Sequence, residues 1–174
     1  MSIEPTGRRE SCNGTAYVVY TREFRAPVAD VWAAVTEPER LVRWIGTWSG
    51  DPRSGHVDFK MTAEGEDVAV QIYRIDVCEP PRQLCVRSQI PGDDWVWRLE
   101  LDLAELDGVT TLTFAQVMDD PDVAENVGPG WDYYLDRLAA AESGLDVATV
   151  VWDDYYPAQA DHYRALFSGS TRAT

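Results

Sequence analysis

Metal ligation and nucleophilic attack need histidine, cysteine or clustered carboxylates, and the chain holds few of these in useful arrangements. Its two histidines, His56 and His162, have no thiolate or carboxylate beside them at ligand spacing. Both read as surface or partly buried polar residues, and no metal is expected. The three cysteines, Cys12, Cys78 and Cys85, form no CxxC pair, and their odd number fits free thiols in a reducing compartment. Cys78 and Cys85 fall in strand-like stretches and read as small hydrophobes. A GxSxG nucleophile turn is missing. The run Asp119-Asp120-Pro121-Asp122 lacks the glycine and closing glutamate of a calcium loop, and reads as a turn into a helix. Gly128-Pro129-Gly130 opens like a phosphate-binding turn but has no third glycine at the right spacing. No catalytic residue and no cofactor follow from these motifs.

The aromatic residues carry more information. There are 7 Trp, 8 Tyr and 4 Phe, and Trp44, Phe59, Trp95, Trp97, Phe114, Trp131 and Tyr134 fall on faces predicted to point inward. Such rings either pack a core or line a cavity, since apolar walls with a few polar groups characterise ligand pockets. Arg22, Ser88 and Gln116 share the inward registers. A buried polar side chain needs a partner, which protein, water or ligand can supply.

These residues must be positioned by regular elements. Val18, Tyr20 and Phe24 alternate within a strand over 15–25. Pro27 suits the first position of a helix with Val28, Val31, Trp32 and Val35 at helical spacing. Thr36 and Glu39 match a capping box, with Pro38 opening a second short helix that carries Leu41, Trp44 and Ile45. Val57, Phe59 and Met61 alternate as a half-buried strand. Over 67–78 the apolar register changes between Ile72 and Tyr73, which predicts a bulge. Leu84, Val86 and Ile90 follow; after Pro91-Gly92, Trp95, Trp97, Leu99, Leu101 and Leu103 face one way. Asp107-Gly108 marks a hairpin, beyond which Leu112, Phe114 and Met118 continue inward. Trp131, Tyr134, Leu135 and Leu138 then form the apolar stripe of a helix. Gly128-Pro129-Gly130 should break or start that helix and Gly144 should end it. One more short helix is expected after Pro157. This order predicts an α+β fold, a curved antiparallel sheet covered by a terminal helix.

Size and charge bound the function. A chain of 174 residues suits one domain. Scaling relations take its surface from ~28,000 Å² unfolded to ~8,500 Å² folded, enough for a core without disulfides or a structural metal. The expected organisation is a flexible N-terminal arm over 1–14, a domain over 15–145 and a C-terminal extension over 146–174 packed on it. With 15 Lys plus Arg against 30 Asp plus Glu, the net charge of −15 repels nucleic acid and anionic membrane surfaces. No apolar run approaches the ~18 residues of a membrane helix. The polar start lacks the middle of a signal peptide, so a cytoplasmic location is expected.

The stretch TREFRAPVADVWAAVTEPERLVRW, from Thr21 to Trp44, resembles the opening of proteins related to the activator of the heat-shock-protein-90 ATPase. Arg22, Ala26-Pro27, Val31-Trp32, Thr36-Glu37-Pro38 and Trp44 carry the match, and Gly130 to Gly144 is similar to the family's last helix. The resemblance implies a helix-grip (START-like) fold: a seven-stranded antiparallel sheet, two short helices after the first strand, and a long C-terminal helix over a hydrophobic cavity. The leading expectation is therefore a binder or carrier of a small hydrophobic or aromatic molecule. Trp44, Phe59, Trp95, Trp97 and Phe114 would wall the cavity from the sheet side, and Trp131, Tyr134, Leu135 and Leu138 from the helix. Arg22 and Gln116 would add polar contacts. A polyketide cyclase or dehydratase-like enzyme is the second expectation; its acid or base would come from mouth loops bearing Asp93, Asp94 or Asp119, since the inward registers hold no carboxylate or histidine. A stress- or chaperone-related interaction module is the third. A chaperone partner is not expected, because the eukaryotic co-chaperone's additional N-terminal domain has no room here. Self-association would use the tail aromatics Trp152, Tyr155, Tyr156 and Tyr163.

Overall fold

The computed structural model describes residues 3–169, so residues 1–2 of the expected arm and 170–174 of the expected extension lie outside the described residues. The strands are β1 (Arg8–Cys12), β2 (Thr15–Phe24), β3 (Thr47–Ser49), β4 (His56–Lys60), β5 (Gln71–Glu79), β6 (Gln83–Gln89), β7 (Val96–Leu106) and β8 (Val109–Val117). They pair antiparallel in one 8-stranded sheet of order β1-β2-β8-β7-β6-β5-β4-β3. Helices α1 (Val28–Thr36) and α2 (Pro38–Leu41) follow β2, the long α3 (Pro121–Glu142) follows β8, and α4 (Ala160–Ser168) is the last element among the described residues. This is the expected α+β helix-grip architecture, a curved sheet around a long helix, with one strand more than the seven anticipated.

The added strand comes from the segment expected to fray. Residues 8–12 pair with β2 from Arg8 opposite Val19 to Cys12 opposite Thr15. Asn13 and Gly14, at φ 51° and 80°, make the tight turn between them. The sequence RRESC shows no apolar alternation because an edge strand has little to bury; its ladder hydrogen bonds hold it instead.

Other local expectations shift by a few residues. The capping box at Thr36 does not form. Its hydroxyl donates to the Trp32 carbonyl at 2.7 Å, and Glu37 occupies the N-cap of α2 without a side-chain cap. In β5 the bulge lies between Ile75 and Val77, later than the hydropathy switch suggested. It places Tyr73, Ile75 and Cys78 on the helix-facing side.

Helix α3 runs for 22 residues straight through Gly128-Pro129-Gly130, which were expected to break or start it. Pro129 removes one backbone donor inside the helix, and tertiary packing outweighs that loss. The Tyr20 hydroxyl donates to the Gly128 carbonyl at 2.9 Å. A Cβ on Gly128 would meet the Tyr163 ring at 2.1 Å, so glycine is what lets α4 approach. The ends follow the sequence: Asp120 caps the start, accepting from the Asp122 N–H at 2.8 Å. At the other end Gly144, at φ 71°, permits the Leu145 N–H to reach the Ala140 carbonyl at 2.9 Å.

The tail forms the expected short helix, α4. Tyr155, Tyr163 and Phe167 are each buried to 1 % exposure or less within this chain. Of the four residues expected to serve self-association, Tyr155 and Tyr163 are therefore internal. Trp152 remains exposed and stacks on Tyr156 with ring centroids 5.7 Å apart.

Candidate functional site

Between α3 and the sheet lies an inner chamber of about 230 Å³. Trp131, Leu135 and Leu138 descend from α3 toward Phe114 of β8, Phe59 of β4 and Tyr73 of β5. Trp44, just beyond α2, closes one side; its indole N–H donates to the Ala34 carbonyl at 3.1 Å. Trp48 does the same to Thr36 at 2.8 Å. With their one donor satisfied, these indoles present carbon to the chamber. Among the described residues no carboxylate, lysine, arginine or histidine lines it. Burial pushes the Tyr73 phenol up to about 12; the Ser88 hydroxyl opposes this and the Glu64 charge reinforces it.

Trp131 is shared by this chamber and a second one. Its N–H donates to the Gln116 side-chain carbonyl at 2.6 Å and its ring lies 4.2 Å from Phe114. It lines both the inner chamber and an outer chamber of about 810 Å³. That outer space is more polar, with Glu64, Gln71, Ser88 and Asp93 among its walls beside Trp95 and Trp97. The Tyr134 hydroxyl donates to Glu64 at 2.9 Å. Burial, then the hydrogen bond and charge of Glu64, hold that phenol well above its ordinary value.

The structure thus divides the expected wall. Trp44, Phe59, Phe114, Trp131, Leu135 and Leu138 line the inner chamber. Trp95, Trp97 and Tyr134 line the outer one, and Trp95 precedes β7 and is 57 % exposed. Of the three mouth carboxylates considered, Asp93 lines the outer chamber and Asp94 and Asp119 line neither. Gln116 is buried and lines neither chamber, acting through Trp131 instead.

Arg22 is a correction. It faces α3 as its register requires, but carboxylates of this chain claim it. Its guanidinium donates to Asp136 at 2.9 Å and to Asp132 at 3.2 Å. Asp132, at 1 % exposure, also accepts from the Thr6 N–H at 3.0 Å and from the hydroxyls of Thr6 and Tyr163. Tyr155 donates to Asp136 at 2.7 Å. Arg22 is therefore a structural tie between β2, the N-terminal segment, α3 and the tail. The signal was present: Asp132 and Asp136 stand four apart on one face of α3, beside the apolar stripe. Also missed were Tyr73 and Glu64. Tyr73 was read only as a change of strand register, and Glu64 lies in a loop where periodicity says nothing.

Comparison with known proteins places this geometry. No curated protein sequence matches the chain. Among solved structures, CalU16 of Micromonospora echinospora is 26% identical, with a TM-score of 0.67 over 94% of this chain and 97% of that one. DynU16, a protein of the dynemicin biosynthetic locus, is 26% identical with a TM-score of 0.63; the match covers 75% of this chain but only 49% of DynU16. A protein of Bordetella parapertussis, 20% identical with a TM-score of 0.64 over 92% of this chain and 90% of that one, shares the fold. Residues 25–142 match the family described as Activator of Hsp90 ATPase homolog 1-like protein, and the chain belongs to that family.

Proposed function

We propose that this protein binds a small hydrophobic or aromatic molecule in the inner chamber between the sheet and α3. One observation carries the reading: a chamber of about 230 Å³ between the sheet and α3, walled, among the described residues, by apolar and aromatic side chains with no charged group. That volume is several times the ~30 Å³ share of one water, and apolar walls give water few hydrogen-bond partners there. Its lining forgoes dispersion contacts on one side, which a fitting apolar ligand restores. Small-molecule pockets start near ~300 Å³, so a larger ligand extends past Trp131 into the outer chamber. The place of DynU16 in a biosynthetic locus supports a ligand that is an intermediate or product of biosynthesis.

A cyclase- or dehydratase-like enzyme is the second reading. General acid–base chemistry would have to come from Glu64, Tyr134 or Asp93 at the outer chamber, because among the described residues the inner lining supplies no carboxylate or histidine.

Native mass spectrometry of the purified protein, followed by solvent extraction, tests the binding reading. A stoichiometric adduct lost on denaturation supports it and gives the ligand's class. An apo mass that stays unchanged across a panel of lipids and polycyclic aromatics overturns it.

A further inference from the structure

We propose that the outer chamber is a site for an organic cation, so that the ligand carries an amine or quaternary ammonium group beside its apolar body. This deepens the binding reading above and rests on it.

Two kinds of group that attract a cation share these walls. Trp95, Trp97 and Tyr134 line the space with Trp131, and the faces of indole and phenol rings are electronegative. Tyr133 and Trp152 extend the cluster, their rings 5.4 Å apart and edge-to-face. Glu64 and Asp93 add carboxylates, and among the described residues no lysine, arginine or histidine forms an ion pair with either. Arg137 sits 5.3 Å from the centre of the Tyr133 ring, but the Trp44 carbonyl and the Tyr133 hydroxyl hold it and it does not line the chamber.

The alternatives fit less well. An anionic group would meet both carboxylates within a protein of net charge −15. A wholly apolar ligand filling the outer chamber would strip water from Glu64 and Asp93 without replacing it. An ammonium group satisfies the carboxylates and the ring faces together. Trp131 is common to both chambers, so one molecule with an apolar body and a cationic group would contact it from both.

Three naphthalene probes separate these cases: 2-naphthylmethylamine, the neutral 2-naphthylmethanol and 2-naphthoate, titrated by tryptophan fluorescence. The amine should bind about tenfold more tightly than the alcohol, with the carboxylate weakest. Glu64→Gln and Asp93→Asn should each lower amine affinity about threefold or more and leave the alcohol unchanged. Asp107→Asn, at an exposed hairpin tip where φ of 51° suits asparagine, removes the same charge far from the site and should change nothing. Equal affinities for amine and alcohol, or a preference that Asp107→Asn erodes as much as Glu64→Gln, would overturn the cation site while leaving apolar binding intact. No saturable response to any probe would overturn the binding reading along with it.

Discussion

Asp132 and Leu135 stand one turn apart on α3 and meet opposite surroundings. Asp132 is fully used: Thr6, Arg22 and Tyr163 bond to it, and every one of these contacts joins segments distant in sequence. Leu135 borders empty space. On the first face, buried charge is matched so closely that any change leaves something unsatisfied. On the second, apolar contact is non-directional and incomplete. One helix is therefore tied by polar pairing toward β2 and the tail, and presents an apolar wall toward the chamber. Polar pairing fixes where α3 lies, and the void is what remains under a helix held from its other side.

The contrast can be broken most severely at Asp132. Asp132→Ala should cost about 3 kcal/mol, since it removes the acceptor of the Tyr163 hydroxyl and of the Thr6 N–H and leaves Arg22 with Asp136 as its carboxylate partner. Urea denaturation reads this directly, and a loss below about 1 kcal/mol would mean the network holds little. Gly128→Ala tests the same side by shape. Overpacking against the Tyr163 ring costs about 3 kcal/mol, offset by about 1 kcal/mol of helix propensity, for a net loss near 2 kcal/mol. On the chamber side, Leu135→Phe should move stability by less than about 1.5 kcal/mol because the added carbon enters free volume. A loss as large as that of Gly128→Ala would show the chamber to be closed.

The smallest expected effect concerns Tyr73. Its phenol ionises near pH 10 in the unfolded chain and at about 12 in the fold. The unfolded chain therefore gives up the proton first, and stability falls with rising pH across that window. The contribution is complete below about pH 10 and lost as pH climbs toward 12. Tyr73→Phe removes it, so between about pH 9 and about pH 11 the variant should lose about 1 kcal/mol less than the parent. Identical losses would place the phenol in water.

The chamber was more legible in the sequence than the network, for a physical reason. Apolar walls are written in periodicity: Leu99, Leu101, Phe114, Trp131, Leu135 and Leu138 each repeat with their neighbours at strand or helix spacing. Arg22 shows the limit. Its inward register was correct, but register does not name a partner, and Asp132 and Asp136 lie more than 100 positions away. Strand β1 and the unbroken α3 escaped for the same cause, since long-range pairing decided both against local polarity and local propensity. Glu64 and Asp93 lie in loops, where no period marks which way a side chain turns.

The most direct test of an apolar site under α3 is a tryptophan-fluorescence titration of parent and Leu135→Phe protein with 2-naphthylmethanol. Saturable one-site binding by the parent, weakened at least about tenfold in a variant of nearly unchanged stability, is the expected result. No saturable response, or equal affinity in both proteins, would contradict a ligand seated between the sheet and α3.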